Sequence, residues 1–204
     1  MIKRWYESKL LPGMLNALMK SPEMTKIRAR WVPQAMGNVI EIGVGSGLNL
    51  PFYSDGTRVF AVDPSEALQV YAREVAERHG TYVDFCAQSG ESIPADNHQF
   101  DSAVITWTMC SIPNPLAALR EVKRVLKPGG RLLFAEHGLS PETHVAKWQN
   151  RINRIWKPLA GGCNLNRQPD QLMKEAGFEL SELETSYIQG PKIATYTYQG
   201  VAIA

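Results

Sequence analysis

The sequence has few cysteines and no long hydrophobic stretch. Its 204 residues include three cysteines, Cys86, Cys110 and Cys163, which are widely spaced and form no C-x-x-C pair. An odd, scattered set argues against a disulfide framework or a zinc site and favours a reducing compartment. No stretch approaches the roughly 18 apolar residues of a membrane-spanning helix, and no signal-peptide-like run follows the first residues. We therefore expect a cytoplasmic protein with no metal site.

The chain also lacks an excess of charge of either sign. It carries 22 Lys and Arg against 20 Asp and Glu, for a net charge of +2, and it has no run of basic residues. This balance gives no indication of a nucleic-acid partner. Hydrophobic residues make up 44% and charged residues 21% of the chain. These values are ordinary for a globular protein, and the length suits one α/β core.

Strand and helix patterns alternate from residue 38 onward. The predicted strands cover 39–42, 58–62, 82–86, 100–106, 131–135, 179–185 and 195–204. The predicted helices cover 65–79, 116–126, 141–158 and 169–176, with a short helix from Leu48. This alternation predicts an α/β fold with a mostly parallel, doubly wound sheet and helices on both faces. We expect one domain over 1–204, with a helical cap at 1–36 and a helical insertion at 138–168.

The most informative segment is 41–47, which reads E-I-G-V-G-S-G and follows an apolar strand pattern. Gly43, Gly45 and Gly47 stand at alternate positions, so the backbone there can wrap closely around a ligand. A dinucleotide-binding G-x-G-x-x-G would need glycine where Leu48 stands, and the Gly-Lys-Ser/Thr of a P-loop is absent. The segment resembles motif I of the class I methyltransferases that use S-adenosylmethionine (SAM).

Loops after the next three strands carry residues that suit the same cofactor. Asp63 follows the second strand, where it can accept hydrogen bonds from the ribose hydroxyls or cap the next helix. Ser89 stands after the third strand, where related methyltransferases often place an Asp for the adenine amino group. Trp107, after the fourth strand, can flank the cofactor or pack in the core. The residues assigned to the cofactor are Glu41, Gly43, Gly45, Gly47, Asp63, Pro64, Ser89, Gly90, Glu91, Thr106 and Trp107.

Further motifs narrow the resemblance. L-R-E-V-K-R-V-L-K-P-G-G-R-L at 119–132 is similar to the post-motif helix and turn of many methyltransferases. A-E-H at 135–137, G-C-N-L-N-R at 162–167, A-G-F at 176–178 and Y-x-G-x-A at 198–202 resemble the methyltransferase-like thiol S-methyltransferases, a branch related to ubiquinone/menaquinone and phospholipid methyltransferases. The resemblance implies a seven-stranded Rossmann-like sheet with an antiparallel last strand.

The function implied is SAM-dependent methyl transfer to a small molecule, with a thiol as the leading acceptor. Two alternatives remain open: a phospholipid or quinone-precursor N- or C-methyltransferase, and a non-catalytic SAM-binding module. A nucleic-acid methyltransferase is disfavoured because no N/D-P-P-Y/F follows the fourth strand. Peripheral membrane contact is not indicated, and the oligomeric state cannot be read from the sequence.

The acceptor side offers fewer signals. His137 follows the fifth strand and can take a proton or orient a substrate, with Glu136 beside it as an orienting group; both residues can instead be structural. Cys163 and Cys110 can contact a sulfur or metalloid substrate, or they can be small buried residues.

A pattern of apolar residues suggests a cover over this side. Trp148, Ile152, Ile155 and Trp156 have helical spacing and, together with apolar positions in 10–19, can roof a lipophilic pocket. Basic residues interleave with them, so an acidic headgroup or a membrane surface is an alternative.

Overall fold

A seven-stranded β-sheet forms the framework of the molecule. The computed structural model describes residues 19–204. The strands are β1 (Asn38–Ile42), β2 (Arg58–Val62), β3 (Tyr82–Cys86), β4 (Phe100–Thr106), β5 (Leu126–His137), β6 (Glu179–Tyr187) and β7 (Tyr196–Ile203). The α-helices are α1 (Pro22–Trp31), α2 (Glu66–His79), α3 (Pro115–Val125), α4 (Thr143–Leu159), α5 (Pro169–Glu175) and α6 (Lys192–Thr195).

The strand order in the sheet is β3-β2-β1-β4-β5-β7-β6. The first five strands pair in parallel, whereas β7 runs antiparallel to both β5 and β6. The predicted mostly parallel sheet with an antiparallel last strand is therefore confirmed. The order reverses direction between β1 and β4. In open sheets of this kind, ligands bind outside the carboxyl ends of the strands at such a reversal.

Helices cover both faces of the sheet because neighbouring residues of a strand point in opposite directions. On one face Ile40 of β1 belongs to the same buried cluster as Leu119 of α3 and Met173 of α5. On the other face Val39 is buried together with Ala72 of α2. With both faces covered, the carboxyl ends of the strands are the edge on which loops can form a site.

The helix that follows β2 begins and ends as its sequence predicts. The Ser65 side chain accepts a hydrogen bond from the Leu68 amide and caps the start of α2. Gly80 adopts a left-handed φ of 67° just past its end. These caps fix the entry to α2 directly after Asp63, which places that carboxylate at the open edge of the sheet.

Two local predictions differ from the structure. No α-helix begins at Leu48; the chain forms turns there, followed by one turn of 3-10 helix at Leu50–Phe52. The segment Pro128-Gly129-Gly130 does not separate α3 from a strand starting at 131, because β5 already starts at Leu126. It forms an irregularity within β5, since the register with β4 shifts between Phe100 and Ser102. Gly129 has a φ of 76° there, which suits glycine.

Part of the proposed helical cap can be placed. α1 lies within 1–36, whereas the apolar positions 10–18 lie outside the described residues. α4 lies within the predicted insertion 138–168. The division into one domain with these two additions stays a prediction. Among the described residues, no helix is both long enough and apolar enough to cross a membrane.

Candidate active site

The loop after β1 is held open by its three glycines. Gly43, Gly45 and Gly47 all have positive φ angles, of 75°, 54° and 82°. A Cβ on Gly43 would lie 2.2 Å from the Thr108 side chain, and one on Gly47 would lie 2.9 Å from Ala72 of α2. A Cβ on Gly45 would meet nothing nearer than the Gly43 carbonyl oxygen at 3.9 Å. The first and third glycines therefore allow close packing, and the second leaves open space.

Asp63 connects this loop to α2. Its Oδ2 accepts a hydrogen bond from the Gly45 amide at 2.9 Å, and its Oδ1 accepts one from the Ser65 amide at 2.8 Å. The side chain is 7% exposed, and burial raises the pKa of the carboxyl group although both amide bonds oppose the rise. Asp63 therefore makes the helix-capping contact that the sequence offered as an alternative to ligand binding. The same side chain also lies on the wall of a cleft.

The cleft consists of two adjoining hollows that share Gly43, Leu68 and Thr108 as walls. The larger has about 850 Å³ of empty space open to solvent, and the predicted residues on its wall are Asp63, Pro64, Ser89 and Gly90. The smaller has about 550 Å³, and the predicted residues on its wall are Glu41, Thr106 and Trp107. The structure thus brings most of the predicted cofactor residues around one continuous space.

Glu41 lies at the bottom of the smaller hollow. Its two carboxylate oxygens accept hydrogen bonds from Asn49 Nδ2 at 2.9 Å and from the Tyr53 hydroxyl at 2.8 Å. Asn49 Nδ2 also donates to Thr106 Oγ1 at 3.0 Å. Burial raises the pKa of Glu41 to about 7. Its direct partners are therefore protein groups that brace the glycine loop against the sheet.

Arg28 of α1 adds a positive charge to this hollow, and no sequence pattern predicted it. Its Nε donates to Asn49 Oδ1 at 3.1 Å, and its guanidinium lies 4.7 Å from the centre of the Trp107 ring. Burial lowers the pKa of Arg28 to about 10, so it stays charged at neutral pH. Nothing in the local spacing of residues 22–31 distinguishes this arginine from Arg30, which instead pairs with Glu184 at the surface.

Trp107 has an unusual backbone and an unpaired indole. Its φ is 48°, a left-handed value rare for a large side chain. The side chain is 8% exposed, and its Nε1 is buried with no hydrogen-bond partner within residues 19–204. Strained backbone and an unpaired buried donor are both common at ligand sites.

Ser89 and its neighbours form the far end of the larger hollow. The Ser89 hydroxyl donates to Glu91 Oε2 at 2.8 Å, and its oxygen accepts a hydrogen bond from the Glu91 amide at 3.2 Å, which leaves one lone pair for a further donor. Glu91 Oε1 accepts a bond from the Asn114 amide at 2.7 Å, so this carboxylate braces the loop. Gly90 is buried, and a Cβ there would lie 2.8 Å from Ile42. Of the three predicted residues, Ser89 and Gly90 line the hollow and Glu91 supports them.

Glu136, at the end of β5, orders the loop after β4. Its Oε1 accepts hydrogen bonds from the amides of Thr108 and Met109, at 2.7 Å and 2.8 Å. The residue is 0% exposed, and burial raises the pKa of its carboxyl group to about 7. Glu136 therefore fixes the segment whose Thr108 lines both hollows.

His137 points to a cluster of sulfur atoms beside the cleft. Its Nε2 lies 3.1 Å from Cys163 Sγ, which also accepts a hydrogen bond from Trp156 Nε1 at 3.4 Å. The neighbouring Cys110 thiol, His137 and Trp156 lower the pKa of Cys163. Burial opposes a charged imidazole, but Cys163 and Glu136 outweigh it and raise the pKa of His137. The sequence identified these side chains separately, but nothing in their spacing indicated that they meet.

The predicted roof is only partly present. Trp156 contacts the cluster through Cys163, whereas Trp148 and Ile155 are 55% and 68% exposed. The two exposed side chains lie on the solvent side of α4 because Val145 and Gln149 supply its buried face. The positions in 10–18 that belong to the same prediction lie outside the described residues.

A family comparison agrees with this geometry. Residues 40–134, which contain the glycine loop, Asp63 and Trp107, match the family model described as "Methyltransferase domain". The chain belongs to the class I methyltransferases. The matched residues run from β1 to β5, which are the five parallel strands that carry this methyltransferase's cleft.

Curated relatives match a longer part of the chain. TMT1B of Rattus norvegicus, a thiol S-methyltransferase, is 36% identical over 151 residues, which are 72% of this chain and 62% of the relative. TMT1A of Homo sapiens, also a thiol S-methyltransferase, is 34% identical over 163 residues, 78% of this chain and 66% of the relative. The chain therefore spans no more than about two thirds of either relative's length.

Solved structures share the fold at lower identity. A SAM-dependent methyltransferase from Thermotoga maritima superposes with a TM-score of 0.64 at 21% identity, covering 98% of this chain and 99% of the other. The cyclase SpnF gives a TM-score of 0.72 at 19% identity, covering 99% and 94%. At these identities the likeness concerns the fold alone. Because a cyclase shares it, the activity must be argued from the residues of the site.

Proposed function

We propose that this chain transfers the methyl group of SAM to the sulfur of a small lipophilic thiol. The observation that carries the proposal is the sulfur- and imidazole-containing cluster of Cys110, His137 and Cys163 beside a cleft suited to SAM. The relatives' activity on thiols supports the choice of acceptor. The proposed activity is that of the part of these relatives that the chain matches.

The residues of the cleft fit SAM in chemistry and in space. The open position at Gly45 leaves room beside the loop, and the unpaired Trp107 Nε1 is a donor free for a ligand. Asp63 would accept hydrogen bonds from the ribose hydroxyls, and Ser89 would accept a hydrogen bond from the adenine amino group. Glu41 would act mainly by positioning Asn49. When bound, SAM supplies an activated methyl group on a positively charged sulfur.

The chain's own part in the reaction is alignment and removal of water. Methyl transfer is an in-line displacement whose leaving group is a neutral thioether, so no acid is needed. Holding the two reactants in line can lower such a barrier by roughly 7–11 kcal/mol. Glu136 contributes by fixing Thr108 and Met109 between the cofactor hollow and the cluster.

The acceptor must also lose a proton, since a free thiol has a pKa of about 8.5. We propose that His137 promotes this step, with Glu136 positioning the adjacent loop. His137 Nε2 is already within contact distance of a sulfur atom, Cys163 Sγ, at 3.1 Å. An acceptor thiol beside it would be in a setting that can favour its ionised form.

A second candidate is methylation of a phospholipid headgroup. Trp148, Ile155 and Leu159 are exposed on α4, and this helix contains basic residues but no Asp or Glu. Phosphatidylethanolamine N-methyltransferase of Cereibacter sphaeroides is 30% identical over 125 residues, 60% of this chain and 62% of that protein. An apolar and basic helix face would suit the surface of an anionic bilayer.

The remaining assignments follow from the same proposal. We propose a small-molecule substrate, no nucleic-acid partner and a cytoplasmic location. The three cysteines support a reducing compartment, because each is free in the structure.

The deciding experiment is to incubate the full chain with SAM carrying a labelled methyl group and identify the product by mass spectrometry. Separate reactions contain a small aromatic or aliphatic thiol, a quinone precursor, or vesicles containing phosphatidylethanolamine. We expect an S-methyl product from the thiol. A methylated amine lipid without any S-methyl product would replace the proposal with the second candidate. SAM binding without turnover of any acceptor would point to a binding module.

A further inference from the structure

Three atoms that commonly bind metal ions meet at the acceptor side. The Sγ atoms of Cys110 and Cys163 and a ring nitrogen of His137, here called the cysteine–histidine cluster, all lie within 4.8 Å of one another. The shortest contact joins His137 Nε2 to Cys163 Sγ at 3.1 Å. Around a tetrahedral zinc ion, neighbouring sulfur and nitrogen ligands lie roughly 3.3–3.8 Å apart. Shifts of about 1 Å would bring all three atoms to that spacing.

An unpaired polar atom lies next to the cluster. Glu136 Oε2 is buried and has no hydrogen-bond partner within the described part of the chain. Glu136 is fully buried, at 0% exposure. Buried polar atoms without partners are few in native proteins, and they often mark an ion or water that completes the site.

A divalent cation would also suit the charge of the cluster once its cysteines are deprotonated, as metal ligation requires. In that state the two thiolates lie near the Glu136 side chain, and Arg167 interacts electrostatically with all three groups.

Residues close to the cluster along the chain line the cleft. Ser111, which follows Cys110, and Gly161, two residues before Cys163, both line the larger hollow. Cys163 and His137 are each half-buried, whereas Cys110 is buried. An ion held here would therefore lie beside the hollow that the cofactor is proposed to fill.

We infer that the cysteine–histidine cluster binds one soft divalent cation of the zinc type. Two thiolates and one imidazole match the preferences of zinc, whereas magnesium and calcium prefer oxygen ligands. Three protein ligands leave one tetrahedral position open, as in catalytic rather than structural zinc sites.

The open coordination position gives the cation a role in thiol methylation, and this role rests on the proposed function. An acceptor thiol could occupy it: the S–H bond breaks, the proton passes to solvent, and the sulfur stays bound as thiolate. That sulfur then forms a bond to the methyl carbon as the bond to the SAM sulfur breaks. With the cation bound, His137 promotes loss of the acceptor thiol's proton indirectly, as a ligand of the cation.

The test uses the reduced, chelator-treated full chain titrated with Co²⁺, whose charge-transfer absorption reports cobalt–thiolate bonds. We expect about one Co²⁺ per chain, displaced by Zn²⁺. Changes to residues that only support the metal ligands cost about 10- to 100-fold in metal affinity. Cys163→Ser, Cys110→Ser and His137→Ala remove ligands themselves, so each should weaken Co²⁺ binding by more than that. Cys86→Ser, which changes the cysteine outside the cluster, should bind like the wild type. Calorimetry with S-adenosylhomocysteine checks that each variant is folded.

The outcomes separate the inference from the proposed function. No cobalt–thiolate absorption in the wild type, or equal absorption in Cys163→Ser, overturns the cation site, and thiol methylation by the metal-free protein would leave the proposed function intact. Metal binding without any thiol methylation supports the site and overturns the proposed function. A Cys110–Cys163 disulfide that forms readily while the reduced protein binds no metal also overturns the inference.

Discussion

The two sides of the cleft are built in different ways. On the donor side, Gly43, Gly45 and Gly47 lie within five residues, and Asp63 follows 18 residues after Gly45. On the acceptor side, Cys110, His137 and Cys163 come from three separate segments, and His137 and Cys163 are 26 residues apart. The donor side is thus encoded in one loop and the next strand end. The acceptor side exists only once β4, β5 and the turn after α4 are assembled.

The carboxylates on the two sides differ as well. Both oxygens of Asp63 and both oxygens of Glu41 accept hydrogen bonds from the protein. Glu136 has one oxygen with two amide donors and one with no partner within residues 19–204. The donor-side carboxylates are thus preorganised before a ligand arrives, whereas Glu136 still has one oxygen to offer. Variants on each side test whether the two sides can be damaged independently.

The largest effect is expected from Gly45→Arg on the donor side. Gly45 has open space around its Cβ position, so a long side chain would extend beside the loop without disturbing the core. Its left-handed backbone adds strain of roughly 1–2 kcal/mol. We expect binding of S-adenosylhomocysteine to be lost in a folded protein, measured by calorimetry and circular dichroism. If the variant still bound S-adenosylhomocysteine, this loop would not form part of the donor site.

Gly43→Ala is the matched comparison within the same loop. Its Cβ would lie 2.2 Å from the Thr108 side chain, so the variant should lose stability as well as binding. If Gly45→Arg unfolds the chain and Gly43→Ala does not, the distinction between the two glycines is wrong.

On the acceptor side, His137→Ala should slow thiol methylation by at least about 10²-fold, the lower end for a group that promotes proton transfer. Binding of S-adenosylhomocysteine should stay unchanged because His137 lies outside the two hollows. Single-turnover kinetics and calorimetry measure the two quantities separately. His144→Ala, at a side chain that is 75% exposed, is the control. An unaltered rate in His137→Ala would exclude this residue from the reaction.

The sequence predicted the donor side well because its signals are local. β2, β3 and β4 have the predicted bounds, and Ser65 and Gly80 cap α2 as expected. Glycines, caps and strand ends act through neighbours along the chain. The start of β5 was harder to predict, because a strand that contains Pro-Gly-Gly has the local sequence pattern of a turn.

The acceptor side could be predicted only residue by residue. His137 and Cys163 were individual candidates, but their contact depends on the position of the turn after α4. Arg28 shows the same limit, since its partner Asn49 lies 21 residues away. Tertiary contacts of this kind leave no pattern in a single sequence.

A smaller effect is expected from Asp63→Ala. Hydrogen bonds to a charged acceptor contribute about 1.5–3 kcal/mol each, so affinity for SAM should fall by roughly tenfold or more. Part of the loss would come from the Gly45 amide, which loses its partner. Ser65→Ala separates the two roles, because it removes the α2 cap and keeps Asp63. If both variants lose stability equally and neither loses affinity, Asp63 only caps the helix entry.

The smallest effect concerns pH and tests whether Glu41 is part of the scaffold. Burial raises the pKa of Glu41 from 4.5 to about 7 in the folded protein, with Tyr53, Asn49 and Arg28 opposing the rise and Asp63 adding to it. Between pH 4.5 and 7 the folded state therefore binds more protons than the unfolded chain, so stability falls as pH rises through this window. Glu41→Gln stays neutral, and its amide group can still bond to Asn49 and Tyr53. Urea unfolding at several pH values should show a shallower decline for this variant than for the wild type.

An exposed carboxylate supplies the opposite control for that measurement. Glu184 pairs with Arg30 at the surface, and this ion pair lowers the pKa of Glu184. Its small contribution is complete above the unfolded pKa of 4.5 and is lost only as pH falls below that value. Glu184→Gln should therefore leave the slope between pH 4.5 and 7 nearly unchanged and alter it, in the other direction, only below pH 4.5. Contributions from Glu136 are common to all three proteins and cancel in the differences. An identical pH dependence in wild type and Glu41→Gln would mean that Glu41 is ionised in the folded state at pH 5. Asn49 and Tyr53 would then stabilise a charge there, and Glu41 could attract a positively charged group of the cofactor directly.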